Sequence, residues 1–135
     1  MLDASVVLAW CFADENATLS QHVAGMFKQG DTAVVPSFWP HEVLNALLAG
    51  EKRKRISKEL VRSFLDDLGA LPIGLEQFSA GVVFDRIQHL SREHDLTAYD
   101  AAYLDLALET GLPLATLDED LVRAGKKARA RLVQV

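Results

Sequence analysis

Hydrophobic positions along the chain follow a helical spacing in some stretches and form short continuous runs in others, and the two patterns alternate. The helical spacing predicts helices at Thr18–Lys28, at Trp39–Arg53, from the N-cap Ser57 to Gly69, at Phe78–Glu93, from Thr97 to Gly111, and at Glu119–Ala124. The short runs predict strands at Met1–Asp3, Thr32–Val35, Leu71–Leu75, Leu112–Leu117 and Leu132–Val135. Such alternation predicts an α/β fold, with helices on both faces of a mostly parallel sheet.

The chain has 135 residues, which is the length of one domain, so we expect a single domain over residues 1–135. Half of the residues are hydrophobic and 24% are charged, a globular composition. The single cysteine, Cys11, excludes an internal disulfide framework and fits a reducing cytoplasm. The longest apolar run, Ala4–Ala13, is too short to span a bilayer, so we expect a cytoplasmic protein without a membrane partner.

Charge is unevenly distributed along the chain, whose net charge is -5. Basic residues concentrate in two stretches: Lys52, Arg53, Lys54, Arg55, Lys58 and Arg62, and then Arg123, Lys126, Lys127, Arg129 and Arg131. Such patches can bind the phosphates of a nucleic acid, but they can equally be helix-capping or solvated surface. The acidic surplus lies in the rest of the sequence.

Four acids occupy places where a parallel sheet collects functional side chains. Asp3 and Asp118 follow predicted strands, and Glu42 and Asp100 stand near the starts of helices that follow strands. Each has a simpler explanation alone: Asp3 and Asp118 could cap the next helix, and Glu42 and Asp100 could stabilise the positive end of theirs. Together, all four are expected to face one edge of the sheet.

Four carboxylates at one edge would repel one another unless a cation neutralised them. An all-oxygen donor set favours Mg²⁺ or Mn²⁺ over zinc. Such ions bind substrate phosphate and lower the pKa of a bound water.

Four segments, in this order, resemble the PIN-domain proteins, and among them the VapC-type toxins of bacterial type II toxin–antitoxin systems. They are LDASVVLAW, PSFWPHEVLNALLAGEKRKRI, LTAYDAAYLDLA and GLPLATLDEDL. The resemblance implies a flavodoxin-like three-layer α/β/α sandwich. Family members usually have several strand residues before the first acid, whereas two precede Asp3, so we expect a weak first strand.

The resemblance also implies a site and a function. Asp3, Glu42, Asp100 and Asp118 would bind Mg²⁺ or Mn²⁺ and cut RNA to 3'-hydroxyl and 5'-phosphate products. Supporting positions are Asn45, Thr116 and, less well placed, Asp120; Lys52, Arg53, Lys54 and Arg55 would bind RNA. Expected partners are RNA, an antitoxin protein that blocks the cleft, and a second copy in a homodimer.

Other functions make different demands on the sequence. A haloacid-dehalogenase-type phosphatase needs an acid two residues after its nucleophilic aspartate, and Ser5 stands there instead. A dinucleotide-binding domain needs a glycine-rich turn after its first strand, and the sequence has no such turn after Asp3. A PIN nuclease of RNA processing without a toxin role, and a catalytically silent RNA- or protein-binding module, both remain open.

Overall fold

The computed structural model describes residues 1–12 and 17–135, so Ala13, the last residue of the predicted apolar run, lies outside the described residues. The elements in chain order are α1 (Ala4–Leu8), α2 (Ala17–Lys28), β1 (Ala33–Pro36), α3 (Trp39–Lys52), α4 (Lys58–Gly69), β2 (Ile73–Glu76), α5 (Ala80–Val82), a π-helical turn (Val83–Ile87), α6 (Gln88–His94), α7 (Ala98–Thr110) and α8 (Glu119–Lys127).

The centre of the molecule is a parallel sheet that is regular on one side and reduced to single bridges on the other. β1 and β2 pair in parallel, with Ala33 opposite Ile73. Beside β1, Leu2 donates its N–H to the Val34 carbonyl and forms a parallel bridge with Ala115. The alternation of strands and helices and the parallel sheet confirm the predicted α/β class.

The predicted strand Leu112–Leu117 is wrong in extent, since within this run, all of which the structure describes, only Leu114 and Ala115 form bridges. Pro113 has no N–H to donate, and the N–H groups of Leu117 and Asp118 bond instead to side-chain hydroxyls. The last predicted strand, Leu132–Val135, is likewise a single bridge, between Leu114 and Leu132.

The first strand is as weak as expected. Leu2 bridges Ala115, and the ladder continues only through Ala115 N–H to the Met1 carbonyl and Asp3 N–H to the Ala115 carbonyl. The backbone turns into α1 immediately after Asp3, so this carboxylate lies where the strand ends.

Most helix predictions hold to within a few residues, and two boundaries are corrected. The helix predicted at Glu119–Ala124 continues through Gly125 to Lys127. Gly125 is a packing position and not a helix end, since a Cβ there would lie 3.1 Å from Leu132 Cδ2. The helix predicted at Phe78–Glu93 starts at Ala80 and contains the π-helical turn.

Helix α7 runs through the hydrophobic core. Its residues from Ala101 to Ala107 are all buried, and Tyr103 and Leu104 are fully enclosed. The helix packs against β1, α6 and α8. In the described part of the chain, no helix has the length and apolarity that a membrane crossing requires.

Candidate active site

Asp3 is buried at the end of the first strand, and two hydroxyl groups fix its carboxylate. Ser5 Oγ donates to Asp3 Oδ2 at 2.6 Å, and Thr116 Oγ1 donates to the same oxygen at 2.7 Å. Helix α1 begins here without a side-chain cap, so the capping role considered for Asp3 is not what the structure shows. The second oxygen, Oδ1, accepts neither of these hydroxyl hydrogen bonds.

The same two hydroxyls also hold the loop that carries Asp118. Thr116 Oγ1 accepts the N–H of Asp118 at 3.0 Å, and Ser5 Oγ accepts the N–H of Leu117 at 2.9 Å. Asp118 Oδ1 in turn accepts the N–H of Leu121 and caps α8, as its position predicted. The capping bond fixes the direction of the Asp118 carboxylate relative to Asp3.

Glu42 lies in the first turn of α3 and is tied to α7 by a buried tyrosine. Tyr103 Oη donates to Glu42 Oε1 at 2.5 Å. A buried tyrosine hydroxyl normally finds a partner, and here the partner is one of the predicted site acids. The contact joins residues 61 positions apart in sequence, so it locks the two helices in register.

Asp100 lies in the first turn of α7, where Thr97 Oγ1 caps the helix by accepting the Asp100 N–H at 3.1 Å. Its carboxylate is partly buried. Burial, followed by the charges of Asp118, Asp3 and then Glu42, raises the pKa of Asp100 to about 6.

Burial and neighbouring negative charge also raise the pKa values of Asp3 and Glu42. The pKa of Asp3 is raised by burial and by the Asp118 charge, against the lowering effect of the Ser5 and Thr116 hydrogen bonds. Burial and the Asp3 charge raise the pKa of Glu42, against the hydrogen bond from Tyr103. Burial and Glu42 raise the pKa of the Tyr103 hydroxyl, so it stays a proton donor. Asp3, Glu42 and Asp100 therefore form an electrostatically coupled cluster next to the charge of Asp118, in which neighbouring negative charge disfavours their ionisation.

The remaining predicted residues are exposed. Asn45 is exposed on α3. Asp120 is exposed and forms an ion pair with Arg123 at 2.6 Å, and its charge contributes to the raised pKa of Asp100. Lys52, Arg53, Lys54 and Arg55 are all exposed where α3 ends, and the Arg55 guanidinium lies 4.7 Å from the centroid of the Phe12 ring.

Sequence reasoning missed two residues of the site. Ser5 entered only as the place where a phosphatase would need an acid, yet its hydroxyl positions Asp3. Tyr103 is fully buried in the core, and its hydroxyl donates to Glu42. The available signal was the polar atom of a tyrosine in Ala101–Ala107, a run in which every residue is buried and Asp105 is the other polar side chain.

The chemistry of the candidate metal ligands suits a hard divalent cation. All four candidate ligands are carboxylates, and a cation would relieve the repulsion that raises the pKa values of Asp3, Glu42 and Asp100. Among the residues that the structure describes, however, no three His, Cys, Asp or Glu side chains are already grouped closely enough to hold an ion. The residues fit such an ion by type and charge, with adjustment of side-chain positions on binding.

Comparisons with known proteins identify the family. A model of the PIN domain family matches residues 1–127. Ribonuclease VapC3 of Pyrobaculum aerophilum is 26% identical over 121 residues, which cover 90% of this chain and 90% of that protein. Ribonuclease VapC3 of Mycobacterium tuberculosis is 34% identical over 98 residues, which cover 70% of this chain and 66% of that protein, slightly less than two thirds of its length.

A solved structure matches the fold. The crystal structure of the Pyrobaculum aerophilum protein PAE2754 superposes with a TM-score of 0.70, covering 91% of this chain and 82% of that one, at 22% sequence identity. At this identity the likeness concerns the fold alone.

Proposed function

Since the chain belongs to the PIN-domain family, we propose that it is a metal-dependent endoribonuclease and the toxin of a type II toxin–antitoxin pair. The observation that carries the proposal is the coupled acid cluster, in which Asp3, Glu42 and Asp100 all have raised pKa values because of burial and of one another's charge. A cluster of this kind is costly to fold unless it has a cation to bind. The relatives named as ribonucleases support RNA as the substrate.

In the proposed reaction, Asp3, Asp100 and Asp118 would hold Mg²⁺ or Mn²⁺. The bound ion would supply positive charge beside a phosphate and lower the pKa of a water. Ser5 and Thr116, which donate to Asp3 Oδ2, would hold this carboxylate in place for the ion. Glu42, whose Oε1 accepts the Tyr103 hydroxyl, would orient the attacking water or hold a second ion. The products would be 3'-hydroxyl and 5'-phosphate ends.

Substrate affinity would come from outside the acid cluster, because carboxylates repel phosphate. The exposed bases Lys52, Arg53, Lys54 and Arg55 stand at the end of α3, the helix whose first turn carries Glu42. We propose that they bind the RNA backbone, with an affinity that falls as salt rises.

The toxin role adds expected partners. A cognate antitoxin would block the cleft with a basic side chain that pairs with the carboxylates, and a homodimer in the cytoplasm would be the acting form. The relatives named VapC3 support this assignment.

The test is induced expression in a bacterial host, with RNA 5' ends mapped for the wild type and for Asp100→Asn. The expected result is growth arrest with new 5'-phosphate ends for the wild type and neither for the variant. Asp66→Asn, a charge-matched change at an exposed site on α4, should behave as the wild type. Identical RNA ends in the wild type and Asp100→Asn would contradict the nuclease assignment.

Two further outcomes separate the alternatives. New RNA ends without a growth defect would favour an RNA-processing nuclease over a toxin. A melting temperature that Mn²⁺ leaves unchanged, together with intact RNA binding, would favour a catalytically silent module.

A further inference from the structure

Three aromatic rings form a continuous row from the acid cluster to the protein surface, which we call the aromatic row: Tyr103, Phe38 and Tyr99. Tyr103 packs edge-to-face on Phe38 with ring centroids 5.8 Å apart, and Tyr99 packs edge-to-face on the same ring at 5.1 Å. The inner end is bonded to Glu42 through the Tyr103 hydroxyl. The row therefore connects a proposed catalytic acid to solvent.

The outer end of the row is exposed beside another site acid. Tyr99 precedes Asp100 in the first turn of α7, and 60% of Tyr99 is accessible to solvent, whereas Tyr103 is fully buried. Phe38 stands immediately before α3, the helix that carries Glu42, and is partly buried. Tyr99 is thus an aromatic ring presented to solvent at the edge of the acid cluster.

The edge-to-face contact with Phe38, at an interplanar angle of 78°, holds the Tyr99 ring in one orientation. A ring that is already fixed loses little side-chain entropy when a ligand packs on it. Next to the carboxylates, negative charge opposes the binding of phosphate. An uncharged ring can still attract a nucleotide there, through its base. Flat aromatic faces bind nucleobases by stacking, with little preference for sequence.

On the basis of the proposed ribonuclease function, we propose that Tyr99 is a substrate-positioning residue that stacks on a base of the RNA, next to the phosphate that is cleaved. A base can stack on a protein side chain only when it is unpaired, since in a duplex its faces are covered by neighbouring base pairs. The site therefore selects single-stranded RNA or the loop of a hairpin, and Tyr99 acts on binding, not on the chemical step.

The test measures binding apart from cleavage. A fluorescent single-stranded RNA of about 12 nucleotides is titrated with the Asp100→Asn protein in EDTA, and anisotropy gives the Kd. Adding Tyr99→Ala should weaken binding by roughly 5- to 150-fold, the equivalent of one stacked base. Tyr99→Phe, which keeps the ring, should stay within about twofold of the parent. A blunt duplex of the same sequence should respond to neither change.

A matched control comes from another exposed aromatic. Phe84 is 72% exposed on the π-helical turn, where neighbouring Arg86 pairs with Asp105 and Glu109 toward the other end of α7. Phe84→Ala should leave RNA affinity unchanged. The ratio of Kd values between Tyr99→Ala and its parent should also stay constant as salt rises, since stacking releases no counterions.

The outcomes distinguish this inference from the proposed function. If the Asp100→Asn protein binds RNA and Tyr99→Ala binds equally well, the stacking role is wrong while the nuclease proposal stands, and the exposed ring then belongs to a protein-binding surface. If Tyr99→Phe weakens binding as much as Tyr99→Ala, the hydroxyl matters and stacking is again wrong. If the Asp100→Asn protein binds no RNA at all, the proposed function itself is contradicted.

Discussion

The hydroxyl of Thr116 bonds two of the site acids at once: it donates to Asp3 Oδ2 at 2.7 Å and accepts the Asp118 N–H at 3.0 Å. This one buried atom joins the end of the first strand to the loop before α8, 113 residues away in sequence. Thr116 is only 4% exposed, so water does not replace these bonds when the hydroxyl is removed.

We expect Thr116→Val to destabilise the protein by about 1–3 kcal/mol, because it keeps the shape but leaves a buried carboxylate and an N–H without this partner. The loss of one of the two side-chain hydrogen bonds that lower the Asp3 pKa should also raise that pKa further. Urea unfolding measures the first effect. Thr32→Val, the same change at an exposed threonine, should be close to neutral, and equal effects of the two changes would contradict the role of Thr116.

Tyr103→Phe removes only the hydroxyl that donates to Glu42. We expect a loss of about 0.5–1.5 kcal/mol in unfolding free energy. We also expect weaker Mn²⁺ binding, because Glu42 is then no longer held toward the cluster and its pKa rises without that hydrogen bond. Isothermal titration calorimetry with Mn²⁺ measures the second effect.

The control for Tyr103→Phe is Tyr99→Phe, which removes a hydroxyl from the same aromatic row without touching a site acid. Tyr99→Phe should bind Mn²⁺ as the wild type does. Unchanged Mn²⁺ affinity in Tyr103→Phe would show that the hydrogen bond supports packing alone.

The sequence predicts elements well where local chemistry decides them. Ser57, Thr97 and Asp118 were predicted at helix starts, and each accepts the backbone hydrogen bond of an N-cap. These bonds depend on residues three positions apart, so sequence alone contains the whole interaction.

Prediction fails where distant residues decide the structure. Gly125 has the local features of a helix end, yet the side chain of Leu132 makes it a packing position. The run Leu112–Leu117 has a strand-like composition, yet the hydroxyls of Ser5 and Thr116 take the backbone donors of its last residue, Leu117, and of Asp118 after it. The pairing of Tyr103 with Glu42 is a tertiary contact of the same kind, invisible in either local segment.

At Gly50, α3 packs closely against the segment that follows α1. A Cβ at this position would lie 2.7 Å from Phe12 Cζ, and Phe12 is itself buried. We expect overpacking in Gly50→Ala to cost about 1–3 kcal/mol, of which alanine's better helix propensity offsets up to about 1 kcal/mol, so the net change should be destabilising. Gly69→Ala, at a helical glycine with no atom within 4 Å of its would-be Cβ, should be neutral or stabilising, and the same sign for both would contradict the packing argument.

The raised pKa of the site acids predicts how the stability of the metal-free protein depends on pH. Asp100 has a folded pKa of about 6 against an ordinary value of 3.8, and the pKa values of Asp3 and Glu42 are raised as well. Between these two pH values the folded protein binds more protons than the unfolded chain, so stability falls as pH rises. In EDTA, urea unfolding should give a declining free energy from about pH 4 to about pH 6, with no further loss from Asp100 above that.

Asp100→Asn removes one of the carboxyl groups that bind a proton in the folded protein. Its unfolding free energy should therefore decline less over the same pH range, so that the variant gains stability relative to the wild type as pH rises. Asp66→Asn, on the exposed face of α4, should keep the wild-type slope. Near neutral pH, saturating Mn²⁺ should stabilise the wild type more than it stabilises Asp100→Asn. A ligand that binds only the folded state stabilises it more when it binds more tightly, and the variant lacks one of the proposed metal ligands. Parallel pH profiles for the wild type and Asp100→Asn would show that the Asp100 carboxylate is not coupled to the other acids.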